Sequence, residues 1–410
     1  MEFLTVDSVE SVRKRLLADT RDWLVSTETV PFEKALGRIV AKDIFAADDT
    51  PTFKRSTVDG YALLSSDTAA ADESIPVFLT LKDRVDIGQT ASIPIVSGEC
   101  AEIPTGGMLP KGADAVVMCE YTDEFGKDGI AIGKSTAYGE NVILPGEDVK
   151  TGQLLFKQGR RISPQDIGAL SATGITSLDV YTSPTLALIS TGDELVSPYK
   201  NPKPGQVRDI NTAALSALAY KHGFTVTESA IVADDEEILL KTVQGYMKSS
   251  DIVIVSGGSS KGKKDLTRPV FDRICHVHTH GIAMQPGKPT IFGYDNQSRT
   301  LLAGLPGHPV SAMMVFEQLL AWLLREITKC PPALPIPSKL SCNIASSPGR
   351  MTCHPCRLIQ SDSGYIAEPI FGKSGLITTL SLADGYIITH RDTEGLTESQ
   401  IVMVHLLRGI

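Results

Sequence analysis

Short apolar runs alternate with amphipathic segments in the middle of the chain, between about residues 182 and 327. The runs are rich in Val, Ile, Leu and Ala and end at Gly, Pro, Asp or Ser; they cover residues 184–190, 224–232, 251–256 and 300–305. Such continuous apolar runs are typical of strands buried on both faces of a parallel sheet. Segments with helical spacing of apolar residues lie between or after them, at residues 211–222, 236–249 and 309–328. The alternation predicts a doubly wound α/β domain.

Residues 1–45 show two helical patterns of apolar residues. Asp7 would start the first helix, with Glu10 three residues on to complete a capping box, and Pro31 would start the second. The pattern therefore predicts a helical arm in this part of the chain.

Turn-rich sequence with short β-prone pieces occupies residues 51–143 and returns in residues 331–410. The second stretch follows a Pro-rich joint, residues 331–337, that no helix can cross. We therefore expect two small β domains flanking the α/β domain. The predicted boundaries are 1–45 with 144–181 for the helical arm and linker domain, 46–143 for the inserted β-rich domain, 182–330 for the α/β domain and 331–410 for the C-terminal β domain.

The composition is that of an ordinary globular protein with several domains. A chain of 410 residues exceeds the usual domain size of roughly 100 to 200 residues, and 42% hydrophobic with 21% charged residues is near average usage. Asp7, Glu10 and the basic residues 13–15 precede any apolar stretch, which does not fit a secretory signal, and no run approaches the ~20 apolar residues that cross a bilayer. We expect a cytoplasmic protein without a membrane partner.

The formal net charge of the chain is -9, which argues against nucleic acid as a ligand. An anionic ligand would therefore have to be held by local groups.

Seven cysteines are scattered along the chain, an odd number that does not suggest a disulfide framework. Cys353 and Cys356 have the spacing of half a zinc site or of a redox pair. A structural zinc would need two more ligands, and only Cys342 and His354 lie close in sequence. The spacing alone is therefore weak support for a metal or redox role.

Three strand ends carry residues suited to phosphate. In an open α/β sheet, ligands bind beyond the carboxyl ends of the strands, where helix N-termini present free N–H groups. The first turn, residues 190–194, combines hydroxyls, a glycine and the carboxylates Asp193 and Glu194, which suit Mg²⁺ beside a phosphate; a polar turn with an N-cap explains it equally well. The third turn, residues 304–311, opens a long apolar helix with Pro309 at its first position.

The second turn, residues 256–265, places Gly257 and Gly258 before serines, three lysines and Asp265. Glycines let the backbone approach an anion, and serines and lysines add hydrogen bonds and charge. The turn lacks the Gly-Lys-Ser/Thr ending of a Walker loop, and a flexible surface loop is the alternative. A fourth turn, residues 285–289, holds Lys288 between prolines, and a plain turn explains it equally well.

Six motifs in collinear order resemble those of one enzyme family. They are residues 35–38 followed by Pro-Thr-Phe-Lys-Arg-Ser-Thr-Val-Asp-Gly-Tyr-Ala at 51–62, Thr-Gly at 105–106 with 109–117, residues 190–194, the Gly257-Gly258 loop, Pro-Gly-Lys-Pro at 286–289 and Gly-Leu-Pro-Gly at 304–307. On these motifs the chain resembles the molybdopterin molybdenumtransferases, and the C-terminal domain of gephyrin, over nearly its whole length.

The resemblance implies a multidomain α/β plus β fold: an N-terminal helical arm, an inserted β domain, a doubly wound parallel-sheet molybdopterin-binding domain and a C-terminal β-barrel. It implies a cytoplasmic homodimer that inserts molybdate into adenylylated molybdopterin and releases AMP in a Mg²⁺-dependent step. The site would lie in a cleft that the second subunit completes. The resemblance also allows a contact with the molybdopterin adenylyltransferase.

Motif matching assigns roles to residues in three of these domains. The expected catalytic residues are Asp59, Thr105, Glu194 and Asp265, and the expected Mg²⁺ ligands are Asp193, Glu194 and Asp265. The turns and the resemblance together give the expected substrate-binding residues: Ser190, Thr191, Asp193, Asp209, Asn211, Asp234, Gly257, Gly258, Ser260, Lys288, Pro306, Ser311, Arg350 and Ser374.

The chain departs from the family pattern at four positions near the expected site. Lys263 and Lys264 precede Asp265 where the family usually has an acidic and often an aromatic residue, His308 stands where Asn is usual, and Gln285 where Lys is common. These changes could tune molybdate against tungstate, or mark a paralogue of reduced activity with a binding or scaffolding role. The related adenylyltransferase is a further alternative, against which the extra domains and the Asp59 motif argue.

Overall fold

A six-stranded sheet forms the centre of the fold in the computed structural model, which describes residues 6–257 and 266–408. Its strands lie in the order Thr225–Val232, Thr185–Thr191, Ile252–Gly257, Thr300–Leu305, Ile291–Asp295 and His276–His280. The first four are parallel to one another; Ile291–Asp295 runs antiparallel to both of its neighbours, so His276–His280 has the direction of the first four. The four predicted strands are confirmed, and the antiparallel pair is an addition at one edge.

Helices cover both faces of this sheet. Leu186 and Leu188 belong to one hydrophobic core and Ala187 and Ile189 to the other, because successive side chains of a strand point to opposite faces. The first face carries the helix Asn211–His222 and a long helical stretch made of Pro309–Val315, a π-helix Phe316–Ala321 and Trp322–Thr328; the second carries Glu236–Tyr246 and Thr267–Asp272. The doubly wound arrangement is therefore confirmed.

The N-terminal helix, Val9–Thr20, packs on the first face of the sheet. Val12 and Leu16 are fully buried in the same core as the long helical stretch. The N-cap is Ser8, whose side chain accepts a hydrogen bond from the Ser11 N–H at 3.1 Å, and not the predicted Asp7. Asp7 instead forms an ion pair with Arg15, 2.7 Å away.

The helix predicted to start at Pro31 is wrong. Thr27–Pro31 is a strand that pairs antiparallel with Ser177–Tyr181, and only a short 3₁₀ turn, Phe32–Lys34, follows it. The alternating threonines and Val30 favour an extended chain, since β-branched side chains fit a pleated strand better than a helix. This strand pair, the short pair Ile44–Phe45 with Leu154–Phe156, and the helix Pro164–Ala172 share a small core of their own.

A second six-stranded sheet lies between residues 60 and 132. Its order is Ala115–Met118, Gly60–Leu63, Glu99–Ile103, Val77–Arg84, Gly129–Ile132 and Thr122–Phe125. Both of its faces carry buried apolar clusters. A short antiparallel pair, Arg55–Ser56 with Val142–Ile143, accompanies the sheet, and Val142 belongs to one of its apolar clusters.

The C-terminal strands close into a five-stranded barrel. Its strands follow each other around the barrel as Met351–Ser361, Gly364–Pro369, Ile336–Leu340, Ile401–Leu406 and Gly385–Thr389, and the last pairs back with the first. A short pair, Ile344–Ala345 with Gly395–Leu396, and the helix Thr378–Ser381 decorate it. Met284–Gln285 of the α/β domain pairs in parallel with Met351 and Thr352, so backbone hydrogen bonds join the two domains. The predicted barrel is confirmed.

In the two stretches that the structure describes, no helix combines the length and apolar character that a membrane span requires.

Candidate functional site

A cleft of about 1280 Å³ separates the carboxyl ends of the central strands from the barrel. The turns that follow the strands Thr185–Thr191, Ile252–Gly257 and Thr300–Leu305 form one wall, and residues 284–289 contribute to it. Barrel segments form the other, among them residues 344–347, 350–355 and 369–375. The described part of the second predicted turn and the other three turns therefore meet in one cavity.

Hydrogen bonds between polar side chains build the floor of the cleft. The Ser190 hydroxyl donates to Asp209 Oδ1 at 2.9 Å, and the Asn211 amide donates to Ser256 Oγ at 2.7 Å and to the Gly307 carbonyl at 2.9 Å. Asp209 is only 5% exposed. These buried groups are paired, as buried polar groups must be, so their first role is to fix the strand ends relative to each other.

Gly257 is a glycine because two strand ends meet there. Its φ is +128°, and a Cβ at this position would lie 2.2 Å from the carbonyl oxygen of Thr191 on the neighbouring parallel strand. Any larger residue would push these strand ends apart. The glycine thus keeps the floor of the cleft closed.

Carboxylates gather where the first strand ends. Glu194 lines the cleft, and its carboxylate folds over Gly192, within 3.0 Å of where a Cβ of that glycine would be. Asp193 Oδ1 accepts a hydrogen bond from the Asp234 N–H at 3.1 Å, and Asp234 Oδ1 accepts one from the Thr191 hydroxyl at 2.8 Å. Within residues 6–257 and 266–408, no group of three acidic, His or Cys side chains is arranged to hold a metal by itself.

Cationic side chains line the cleft at several points. Arg350 and Lys373 come from the barrel, and Lys288 and Arg208 from the α/β domain. Arg208 is engaged with the carbonyls of Pro198 and Lys200, each 3.2 Å away. The cleft therefore has carboxylates on the α/β wall and cationic side chains on both walls. This combination suits a polyanionic ligand held with a divalent cation.

Asp59 and Thr105 lie together in the second sheet's domain, outside this cleft. The Thr105 N–H donates to Asp59 Oδ1 at 2.7 Å. Hydrogen bonds from the Thr105 backbone and side chain lower the pKa of the Asp59 carboxyl, which keeps it ionised. The sequence predicted both residues as catalytic; the structure places them in contact with each other, while the cleft of the same chain is lined without them.

Comparisons with known proteins identify the family. Three family models match in order: the MoeA N-terminal region (domain I and II) over residues 7–174, the "probable molybdopterin binding domain" over 187–326, and the MoeA C-terminal region (domain IV) over 337–407. A Methanocaldococcus jannaschii protein named as a putative molybdopterin biosynthesis protein is 32% identical over 99% of this chain and 98% of its own length. The chain belongs to the MoeA family of molybdopterin molybdenumtransferases.

Other relatives agree with this assignment. The molybdopterin molybdenumtransferase of Bacillus subtilis is 30% identical over 93% of this chain and 90% of its own. A crystal structure of a MoeA protein from Pyrococcus horikoshii superposes with a TM-score of 0.83 at 30% identity, covering 98% of this chain and all of that one. The MoeA family consists of enzymes of molybdenum cofactor biosynthesis.

Cys353 and Cys356 do not form a pair in this MoeA chain. They lie three residues apart on one strand, and Cys353 is buried in the core below the cleft while Cys356 is buried inside the barrel. Burial raises the pKa of both thiols to about 12. His354 between them lies 3.1 Å from the Thr389 hydroxyl, and burial lowers its pKa. Two thiols buried in separate cores are not placed to form a disulfide with each other or to bind one metal ion together.

Several expected residues fall outside the described ranges. These are Gly258, Ser260, Lys263, Lys264 and Asp265, the greater part of the second turn. The other expected substrate-binding residues line the cleft, apart from Asp193, whose carboxylate bonds to Asp234 at its edge.

Sequence reasoning missed Lys373 and Arg208. Both line the cleft, and each is adjacent in sequence to an expected residue, Ser374 or Asp209. Neither belongs to a strand-end turn of the α/β domain, so the pattern that marks the phosphate turns does not include them. The sequence feature that could have identified them is that each is adjacent to a residue matched by the family motifs.

Proposed function

We propose that this MoeA-family chain inserts molybdate into adenylylated molybdopterin and releases AMP in a Mg²⁺-dependent step. The observation that carries the proposal is the cleft itself, where strand-end carboxylates and cationic side chains meet between the two domains. An adenylylated pterin is long and polyanionic, and a cleft of about 1280 Å³ has room for it.

The donor set on the strand-end wall fits Mg²⁺. This ion prefers oxygen ligands and often uses one or two carboxylates with phosphate oxygens completing its shell. Asp193 and Glu194 are exposed adjacent carboxylates, and the bare Gly192 leaves the space that the Glu194 carboxylate occupies. Asp193 and Glu194 would hold the ion, which when bound neutralises charge on the phosphates.

The protein's own groups supply orientation and charge. Cleavage of a phosphoanhydride breaks a P–O bond and needs an oxygen nucleophile in line with the leaving group, with little covalent work for the enzyme. Lys288 and Arg350 would bind the oxyanion and phosphate oxygens, and the N–H groups at the start of the helix Pro309–Val315 add partial positive charge. The attacking oxygen belongs to molybdate or to a water it activates.

A second copy of the chain would complete the site. Asp59 and Thr105 are outside the cleft of their own chain, yet they form an ionised, hydrogen-bonded pair on an exposed turn. We infer that a homodimer brings this pair to the partner's cleft. A cytoplasmic location and a contact with the adenylyltransferase remain predictions from the family resemblance.

Release of AMP tests the proposal. Purified protein with Mg²⁺, molybdate and adenylylated molybdopterin should release AMP in proportion to metal inserted, and omission of Mg²⁺ should abolish it. Glu194→Gln should lower the rate about 10- to 100-fold, the usual cost of weakening a metal site. Glu33→Gln, at an exposed carboxylate far from the cleft, is the matched control and should be silent. Tight pterin binding without any AMP from the unaltered chain would instead favour the binding or scaffolding role.

A further inference from the structure

A barrel loop, residues 370–376, reaches across to the α/β domain at the mouth of the cleft. It follows the strand Gly364–Pro369, and residues 370–375 line the cavity. Phe371 is 71% exposed, and Lys373 is exposed as well. The loop is anchored to its own barrel by the Ile370 N–H, which donates to the Pro355 carbonyl at 2.8 Å.

Ser374 is where this loop meets the α/β domain. Among the described residues, the hydrogen bonds between the loop and that domain both involve Ser374. Its carbonyl accepts from the Val310 N–H at 3.3 Å, and its Oγ lies 2.8 Å from His308 Nδ1. The backbone bond is long, so the shorter side-chain bond is the stronger of the two attachments.

The position of His308 is set by the helix that it caps. It is the N-cap of Pro309–Val315, and the Ala312 N–H donates to its carbonyl at 3.0 Å. The other edge of the ring, Cδ2 and Nε2, lies beside Gly375, where an added Cβ would be 3.8 Å away. The imidazole thus sits between a fixed helix end and the loop segment 373–375.

We propose that His308 is a positioning residue that latches the barrel loop to the α/β domain, so that Lys373 and Ser374 face the anion in the cleft. The identity of that anion rests on the proposed function; the latch itself does not. Only Nδ1, an atom bonded directly to Cγ, is required for the contact. Asparagine also carries its polar atoms on Cγ and can therefore replace histidine in this role, whereas alanine cannot.

Hydrogen exchange tests the latch without any substrate. In His308→Ala, the amides of residues 373–377 should exchange about 3- to 10-fold faster than in the unaltered chain. This is the effect expected when one hydrogen bond that opposes local opening of the loop is lost. His308→Asn should restore slow exchange. His276→Ala, at an exposed histidine of the edge strand, is the control and should leave the loop unchanged.

A double substitution separates the bond from a general effect of losing the ring. If His308 acts through Ser374, His308→Ala should add nothing to the exchange rate in a Ser374→Ala background. Unchanged exchange in His308→Ala, exchange in His308→Asn as fast as in the alanine variant, or additive effects in the double variant would each overturn the latch.

Calorimetric titration with inorganic molybdate tests the consequence for the ligand. His308→Ala should weaken molybdate binding about 3- to 10-fold, with His308→Asn close to the unaltered chain. Faster loop exchange with unchanged molybdate binding would refute the positioning role. If the unaltered chain neither binds molybdate nor releases AMP, the proposed function fails, and the exchange measurements still decide whether His308 latches the loop.

Discussion

Gly257 shows how a single residue shapes the cleft. The sequence pattern predicted that glycines after the strand at 251–256 would let the backbone approach an anion. The structure gives this glycine an additional and more basic task, because its missing Cβ is what lets the Thr191 and Gly257 strand ends pair closely. That reason could not be read from sequence, since it depends on a neighbour 66 residues away in the chain.

Alanine at position 257 should therefore damage the fold as well as the site. A Cβ 2.2 Å from a backbone oxygen, at φ +128°, cannot be relieved by moving a side chain. We expect Gly257→Ala to lower the free energy of unfolding by about 2 kcal/mol or more, measured by urea denaturation. Gly245→Ala is the contrasting control: Gly245 is an exposed helical glycine with open space around it, so alanine should stabilise the chain by about 0.5–1 kcal/mol. Equal effects of the two substitutions would contradict this account.

The long helical stretch after Pro309 illustrates what element-level patterns can predict. Its helical character over residues 309–328 was predicted from apolar spacing, and the start at Pro309 is as expected. The π-helix in its middle was not predicted. Arg13 of the N-terminal helix donates to the Gln318 carbonyl at 2.9 and 3.1 Å within that segment, and such a partner, 305 residues away, leaves no local signal.

A buried hydrogen bond between Glu317 and His222 joins this stretch to the helix Asn211–His222 and predicts a pH dependence of stability. Glu317 Oε1 lies 2.9 Å from His222 Nε2. Burial raises the pKa of the Glu317 carboxyl, but the His222 hydrogen bond and nearby positive charge outweigh it, so the pKa is lowered from its usual 4.5. A carboxyl whose pKa is lower in the folded than in the unfolded state stabilises the fold at any pH above its unfolded-state pKa. This stabilisation is lost as the pH falls through the folded-state pKa.

Glu317→Gln should thus be less stable than the unaltered chain at pH 7, by about 1–3 kcal/mol. Urea denaturation should show a smaller difference at pH 4 than at pH 5, because the unaltered carboxyl loses its contribution only below its usual pKa. Glu326→Gln, at an exposed position of the same stretch, should show little difference at any of these values. A difference that grows toward pH 4 would contradict the assignment.

At the scale of the whole molecule, the parallel strands, the two β regions and the closing barrel were all foreseen from sequence. Local apolar patterns and turn residues predict the strands, and the resemblance of the motifs to the family predicts the barrel. The arrangement of the two walls of the cleft relative to each other could not be predicted from local patterns. It depends on the pairing of Met284 with Met351 and on the reach of the loop bearing Lys373, which are contacts between distant segments.

The proposed dimer makes a prediction about mixed subunits. Asp59→Asn disables the contribution to the partner's cleft, and Glu194→Gln disables the cleft of its own chain. Each variant alone should release little AMP. Mixed dimers reassembled from the two contain one intact cleft facing one intact Asp59, so about a quarter of the full activity should return if subunits exchange at random and each cleft works independently. No recovery, with exchange of subunits verified, would show that Asp59 does not act across subunits.

A crystal structure of this chain with adenylylated molybdopterin bound would show directly whether the cleft is the active site. The phosphates should lie at the strand-end turn bearing Asp193 and Glu194, and the rest of the ligand should extend toward Arg350 and Ser374 of the barrel. A ligand bound elsewhere, with the cleft between the α/β domain and the barrel left empty, would contradict this proposal.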